Sequence, residues 1–365
     1  MKAEILCSSR ELFGADRCAL RLAEVLRSIG IEPCLVVPSH RPERGLRGEA
    51  VARGIPYYER QIAIATSKGV ERPLAVLPRT HRTDVAVTIF NSTAVIGAPG
   101  DVRQKVVIVR EWLLPQLLRH RALTLRHRVG VDAVVGISSD VITQWRSCVR
   151  GPKRQFLVND WLERDYLDRA RASLSREADA EERAGILCIG RFNNWKGQEV
   201  LADAYERAFS VTAERPPLRF VGAQEDAQFA GRANAVRARG AAWGWEVLPF
   251  TAEPANYFRK AALVVVPSLN PEPFGMVILE ALAHGCRVLA FEGGGPSDVA
   301  PDFPQAVKTI RRDIDCLAGA LADWWSEGGR ALSSDELRQV WRALDRHYSP
   351  EVRATTWKKI VEAIT

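Results

Sequence analysis

The chain has 365 residues, 47% of them hydrophobic and 26% charged, which excludes a disordered, collagen-like or low-complexity protein. At about 150 residues per domain, that length predicts two domains. Lys and Arg outnumber Asp and Glu by 51 to 44, a net charge of +7 that favours an anionic partner without choosing among nucleic acid, acidic lipid and phosphorylated substrate.

No run of eighteen uncharged apolar residues is present, so no transmembrane helix is expected. The start, MKAEILCSSRELFGADR, meets charge at Glu4, Arg10 and Glu11, and its apolar run is too short for a secretory signal. The seven cysteines form no C-x-x-C pair and no zinc spacing. Buried, reduced thiols in a cytoplasmic protein are the expected state.

The predicted elements alternate from the first residues. AEILC (3–7) reads as a strand and 15–30 as a helix, with Leu20, Ala23, Leu26 and Ile29 at helical spacing and Gly30 as its cap. CLVVP (34–38), DVAVTIF (84–90), KVVIVR (105–110) and VDAVVGIS (131–138) read as strands buried on both faces. The stretch 40–82 gives no clear pattern. Residues 160–184 are highly charged and read as an exposed helix or linker.

The alternation then restarts. ILCIG (186–190), RFVG (219–222), WEVLPF (245–250), ALVVVP (262–267) and RVLAF (287–291) read as strands, with helices over 196–210, 224–240, 254–261 and 275–284. Two α/β domains with parallel sheets follow, over 1–160 and 161–345, with a final helix in 346–365. Such sheets place ligands at the carboxyl ends of their strands.

Three constellations carry the chemistry. Gly190 and Arg191 end a strand, and Asn193, Asn194, Trp195, Lys196 and Gly197 follow; two cations in such a loop suit a diphosphate, or are plain solvated charges. The second is Pro267-Ser268-Leu269-Asn270-Pro271-Glu272-Pro273-Phe274-Gly275, which opens the helix containing Met276, Val277 and Glu280. Backbone amides at a helix start suit phosphate or sugar oxygens. From Gly275 to Glu280 the helix rises roughly 7.5 Å, comparable to the separation of groups flanking a diphosphate. The helix is apolar almost all round, which predicts a buried Glu280 carboxylate in need of partners: ribose hydroxyls, or an internal Arg or backbone donor. Glu272 reads as a sugar contact or as a surface loop acid. The third is Glu292-Gly293-Gly294-Gly295-Pro296, a glycine-rich turn that admits close phosphate approach and carries no G-x-G-x-x-G fingerprint.

GRFNNWKG and, about 70 residues later, PSLNPEPFGMVILEALAHGCRVLAFEGGGPSDV resemble the carboxyl-terminal domain of family 4 retaining glycosyltransferases. The Gly-Arg and Lys-Gly pair, the Pro-Ser, two glutamates separated by seven residues around Phe-Gly, and the Gly-Gly occur in the family's order. More weakly, SSRELFGADRCALRLAEVL (8–26) is similar to the family's glycine loop and first helix, and VVGISSDVI (134–142) to a late strand. The resemblance implies a GT-B fold, two Rossmann-like parallel-sheet domains facing across a cleft, with the last helix crossing back to the first domain. It implies Arg191, Lys196 and Glu272 as the catalytic group, the cations on the donor diphosphate and Glu272 on the donor sugar. It implies donor contacts from the backbone at Phe274, Gly275, Met276 and Val277, from Gly294 and Gly295, from Glu280 on the ribose, from the Val247 region on the base, and from Gly14 on the β-phosphate. No metal or other cofactor is expected.

The sequence departs from the family at VVIVREW (106–112), where Arg110 and Glu111 replace a usual histidine; both are candidate sugar or acceptor contacts. Asp313-Ile314-Asp315 has a metal-like acid spacing and reads as a helix start. The segment 112–129, with Leu114, Leu117, Leu118, Ala122, Leu125 and Val129 on one stripe and several Arg and His elsewhere, reads either as a core-facing helix or as a peripheral contact with the inner face of a membrane. The expected activity is retaining transfer from a nucleotide-sugar donor to a glycan or lipid-linked acceptor in cell-surface polysaccharide or lipid-linked glycan biosynthesis. The alternatives are a transferase acting on a small metabolite and a non-catalytic relative. A nucleic-acid partner is not expected, because aromatic and basic residues are not interleaved.

Overall fold

The computed structural model describes residues 1–12, 14–66, 69–71, 85–97, 104–112, 117, 120–121, 130–148, 154–176, 183–212, 214–224 and 230–365. The chain divides into two compact units, Met1–Trp161 with Pro350–Thr365, and Leu162–Ser349.

The first unit runs β1 (Lys2–Leu6), α1 (Gly14–Ser28), β2 (Glu32–Pro38), α2 (Leu46–Ala52), β3 (Tyr57–Arg60), β4 (Ala63–Thr66), β5 (Gly69–Glu71), β6 (Val85–Phe90), β7 (Val95–Gly97), β8 (Gln104–Val109), β9 (Ala133–Gly136), α3 (Ser139–Cys148) and β10 (Arg154–Leu157). Seven strands form one parallel sheet in the order β10-β9-β8-β6-β1-β2-β3. The inner strands are apolar on both faces because helices cover both; VAVTIF in β6 is buried at five of six positions. The described part of the unclear stretch 40–82 holds α2, β3, β4 and β5, and β4 pairs antiparallel with β5 and with β7 in a small sheet. The C-terminal helix, Pro350–Ile364, packs against α1 and buries Trp357, Ile360 and Ile364.

The second unit runs α4 (Arg164–Arg176), β11 (Ile186–Ile189), α5 (Gln198–Phe209), β12 (Leu218–Ala223), α6 (Ala230–Trp243), β13 (Glu246–Pro249), α7 (Ala255–Lys260), β14 (Leu263–Val266), α8 (Met276–Ala283), β15 (Arg287–Phe291), α9 (Gly295–Val299), β16 (Val307–Ile310), α10 (Ile314–Ser326) and α11 (Ser334–His347). Its six parallel strands lie in the order β13-β12-β11-β14-β15-β16. The core joins Phe220, Tyr205, Phe209 and Trp245 with Leu263, Leu289 and Leu317.

The expected parallel α/β architecture is thus observed in each unit. Both sheets reverse their strand order once, between β1 and β6 and between β11 and β14. Loops at the carboxyl ends of those strands diverge to opposite faces and leave a crevice for a ligand.

Several expectations meet the structure in detail. Asp313 caps α10, its carboxylate accepting from the Asp315 and Cys316 amides, so the acid pair starts a helix. All seven cysteines are free thiols, and Cys7, Cys18, Cys34, Cys188 and Cys286 are buried. The helix expected over 224–240 is described only from Ala230 and runs on to Trp243. Most of the stripe in 112–129 lies outside the described residues. Arg121, which is described, turns inward and donates to the Ala65 carbonyl at 3.0 Å and to Thr93 Oγ1 at 3.3 Å. No helix among the described residues is long and apolar enough to cross a membrane.

Candidate functional site

In the second unit, the loops after β11 and β14 meet at the point where the strand order reverses. Asn193 organises the first loop: its Oδ1 accepts from the Trp195 amide at 3.0 Å and the Lys196 amide at 2.9 Å. This side-chain turn replaces a backbone turn and aims Lys196 away from the strand. Gly197 ends the loop in the left-handed region, φ 75°, and a Cβ there would lie 1.8 Å from the Pro267 carbonyl oxygen. Only glycine lets the two loops approach that closely.

The second loop supplies the acid. Glu272 is 6% exposed, and both its oxygens accept from Lys196 Nζ, at 2.9 and 2.8 Å. Ser268, 2% exposed, donates its hydroxyl to Glu272 Oε2 at 2.6 Å. A buried carboxylate needs such partners to offset its lost hydration. The backbone joins the loops as well, with the Leu269 amide donating to the Trp195 carbonyl at 2.7 Å.

The glycine turn after β15 completes the assembly. Glu272 and Gly294 form a parallel bridge, and the Gly295 amide donates to the Glu272 carbonyl at 2.9 Å. A Cβ on Gly294 would stand 1.9 Å from the Glu272 oxygen, and one on Gly295 would stand 1.8 Å from the Phe274 oxygen. Within the unit, these two glycines therefore serve the seating of the acid loop. Arg312, beyond β16, donates to the carbonyls of Ser268 and Glu292 and ties the second and third loops together.

Gly275, φ 83°, caps α8, which has no side-chain cap and no acid in its first turn. The positive end of that helix therefore faces the same crevice, beside the Glu272 side chain. Glu280 corrects an expectation. The helix is not buried all round: Met276, Val277 and Glu280, at helical spacing, share a half-buried face, while Ile278, Leu279 and Ala281–Ala283 face the core. Hydrophobicity alone overstated the burial because Met276 and Val277 sit on the open side. Phe274 is buried and packs toward Tyr348, which anchors the loop by its side chain and leaves its backbone for the site. Arg191 is exposed at the head of its loop. Val247 packs its side chain against the core, so only its backbone remains for a ligand.

Gly14, Arg110 and Glu111 belong to the first unit. Gly14 opens α1, exposed and with open space at its Cβ position. Arg110 is committed internally, to Asp160 at 2.6 Å and to Asn91 Oδ1 at 2.9 Å, with both members of the ion pair 6% exposed. Burial opposes the Arg110 charge, but Asp160 outweighs it and holds the guanidinium above its ordinary range. Glu111 accepts from the Ser92 hydroxyl, and from the Thr93 hydroxyl at 3.1 Å. The two residues that stand where the family has histidine thus brace the turn after β6. Trp195 and Ser268 stand in the sequence motifs without a role of their own there, and Arg312 stands outside them. The Pro-Ser motif marks Ser268 without its partner, and Arg312 carries no local signal.

Among the described residues, no group of three or more His, Cys, Asp or Glu could hold a metal ion.

His284 follows α8, and its Nδ1 lies 2.8 Å from the Glu280 carbonyl oxygen, which accepts a hydrogen bond from it. Burial lowers its pKa to about 4. The unfolded chain, with a histidine pKa near 6.5, then binds the proton more readily. Stability is full above about pH 6.5 and falls by roughly 3 kcal/mol as pH drops to about 4. Urea unfolding at pH 7 and pH 4.5 checks this: His284→Gln should flatten the pH dependence, and an unchanged slope would contradict it.

Residues 183–327 match the family described as "Glycosyl transferases group 1". The matched segment lies within the second unit. That segment contains Lys196, Ser268, Glu272, Gly275, Gly294 and Arg312. Over 73 residues the chain is 33% identical to sucrose-phosphate synthase of Zea mays, a match that covers 19% of this chain and 7% of that relative. The whole chain superposes on HepE of Anabaena in complex with UDP-glucose, with a TM-score of 0.75, 16% identity and 100% of both chains covered. It also superposes on sucrose-phosphate synthase from Thermosynechococcus elongatus, with a TM-score of 0.70, 16% identity, and 100% and 98% of the two chains covered. At such identities the likeness shows the fold, which is GT-B as expected.

Proposed function

We propose that the protein is a retaining glycosyltransferase that moves a sugar from a nucleoside diphosphate sugar to a hydroxyl acceptor. The observation that carries the reading is the Lys196–Glu272 pair at the strand-order reversal, beside an uncapped helix start. Lys196 and Arg191 would neutralise the diphosphate, helped by the amides around Gly275, Met276 and Val277. Glu272 would accept from hydroxyls of the donor sugar, and Glu280 from those of the ribose. The bond from the anomeric carbon to the diphosphate oxygen breaks as the acceptor oxygen bonds to the same face. The acceptor's proton passes to the departing phosphate. Charge builds on the leaving oxygen, so fixed cations and amides lower the barrier most, by about 3–4 kcal/mol per well-placed donor. In this reading they serve in place of a divalent metal.

HepE of Anabaena was solved with UDP-glucose, and a pneumococcal O-GlcNAc transferase of similar fold with UDP and GlcNAc. We take a UDP-sugar as the donor and a glycan or lipid-linked glycan as the acceptor. The protein should slowly release UDP from its donor without acceptor, measured by a coupled assay across UDP-, GDP- and ADP-sugars. A chain that neither binds nor hydrolyses any of them is not this enzyme.

A further inference from the structure

Trp195 is fastened on both sides, by Asn193 Oδ1 at its amide and by Leu269 at its carbonyl. Its ring lies under the Lys196 ammonium, with Nζ 4.3 Å from the ring centroid. Glu272 holds the same ammonium at 2.8 Å. The two partners differ in kind. A carboxylate competes with a phosphate for the lysine, whereas an indole face attracts the cation and leaves its charge uncompensated. A lysine on a four-carbon stem otherwise pays rotamer entropy each time it meets a ligand.

We propose that Trp195 is a positioning residue, whose indole face keeps the Lys196 ammonium in place when Glu272 gives it up to the donor's diphosphate. This rests on the donor-site reading above. It assigns Trp195 no contact with substrate.

The test is a double-mutant cycle over Trp195→Leu and Lys196→Met, read by calorimetry with UDP and with uridine, which lacks the phosphates. Trp195→Leu should weaken UDP about tenfold, as expected for a partly desolvated cation over an indole. Uridine affinity should stay within about twofold, a shift too small to mark a lost contact. Trp195→Phe keeps a ring face and should recover UDP affinity to within about threefold. On the Lys196→Met background, Trp195→Leu should cost nothing more. Equal loss of uridine and UDP, or an undiminished loss without the lysine, overturns the proposal. A wild-type chain that binds no UDP overturns the donor reading itself, so the two failures are told apart by which protein shows them.

Discussion

Replacing Glu272 with Gln is expected to abolish most transfer while tightening the binding of UDP. In the structure the carboxylate takes two hydrogen bonds from Lys196 Nζ, at 2.9 and 2.8 Å, and so holds the cation proposed to meet the phosphates. Glutamine keeps the volume and still accepts from Ser268, 2.6 Å from Oε2, but carries no charge. The freed ammonium then meets the diphosphate without a competitor. Hydrogen bonds to charged groups contribute about 1.5–3 kcal/mol, so a gain of about tenfold or more in UDP affinity is the expected scale. The sugar loses its charged acceptor, and turnover should fall by about a hundredfold or more. Lys196→Ala should lower both quantities: UDP affinity by about 10–100-fold and turnover further. Calorimetry with UDP beside a turnover assay separates the two. If Glu272→Gln and Lys196→Ala shift UDP affinity in the same direction, the ion pair does not gate the phosphate site.

Alanine at Gly197 or Gly294 should unfold the loop assembly at a cost of about 3 kcal/mol or more. Each added Cβ falls within 1.9 Å of a carbonyl oxygen of the neighbouring loop, Pro267 for Gly197 and Glu272 for Gly294. Backbone, unlike the tip of a side chain, cannot step aside cheaply. Gly244 provides the comparison. Its φ is likewise positive, at +79°, but nothing lies within 4 Å of a Cβ there. Gly244→Ala should therefore cost only the left-handed strain, about 1–2 kcal/mol. Denaturant unfolding of the three variants makes the test. Equal costs at Gly197 and Gly244 would mean that the loops are not locked together.

The second unit was largely legible because its strands are short apolar runs buried on both faces, such as LVVV in β14, separated by amphipathic helices. β16, VKTI, carries no clear strand signal, because Lys308 interrupts it and only its first residue is buried. α11 is not among the predicted elements, although Ser333 and Glu336 form a capping box at its start, a signal that sequence does carry. In the first unit, β3 reads YYER, an exposed edge strand without apolar alternation, which explains the blank at 40–82.

The site residues were legible as a motif, but their partnerships were not. Gly294 and Gly295 read as room for phosphate, and the structure shows them making room for Glu272 and Phe274. Arg110 and Glu111 read as ligand contacts, and their partners, Asp160 and the turn after β6, lie far along the chain where spacing says nothing. The half-buried setting of Glu280 is not legible in the sequence, because hydrophobic content does not say which face of a helix is covered.

The central statement, that the second unit grips a nucleoside diphosphate sugar at the reversal of its strand order, is tested most directly by a crystal soaked in UDP-glucose. The account predicts the diphosphate within about 3 Å of Lys196 Nζ and of the amides that open α8, with Glu272 accepting from the sugar. A nucleotide bound elsewhere, with Lys196 still paired to Glu272, would contradict it.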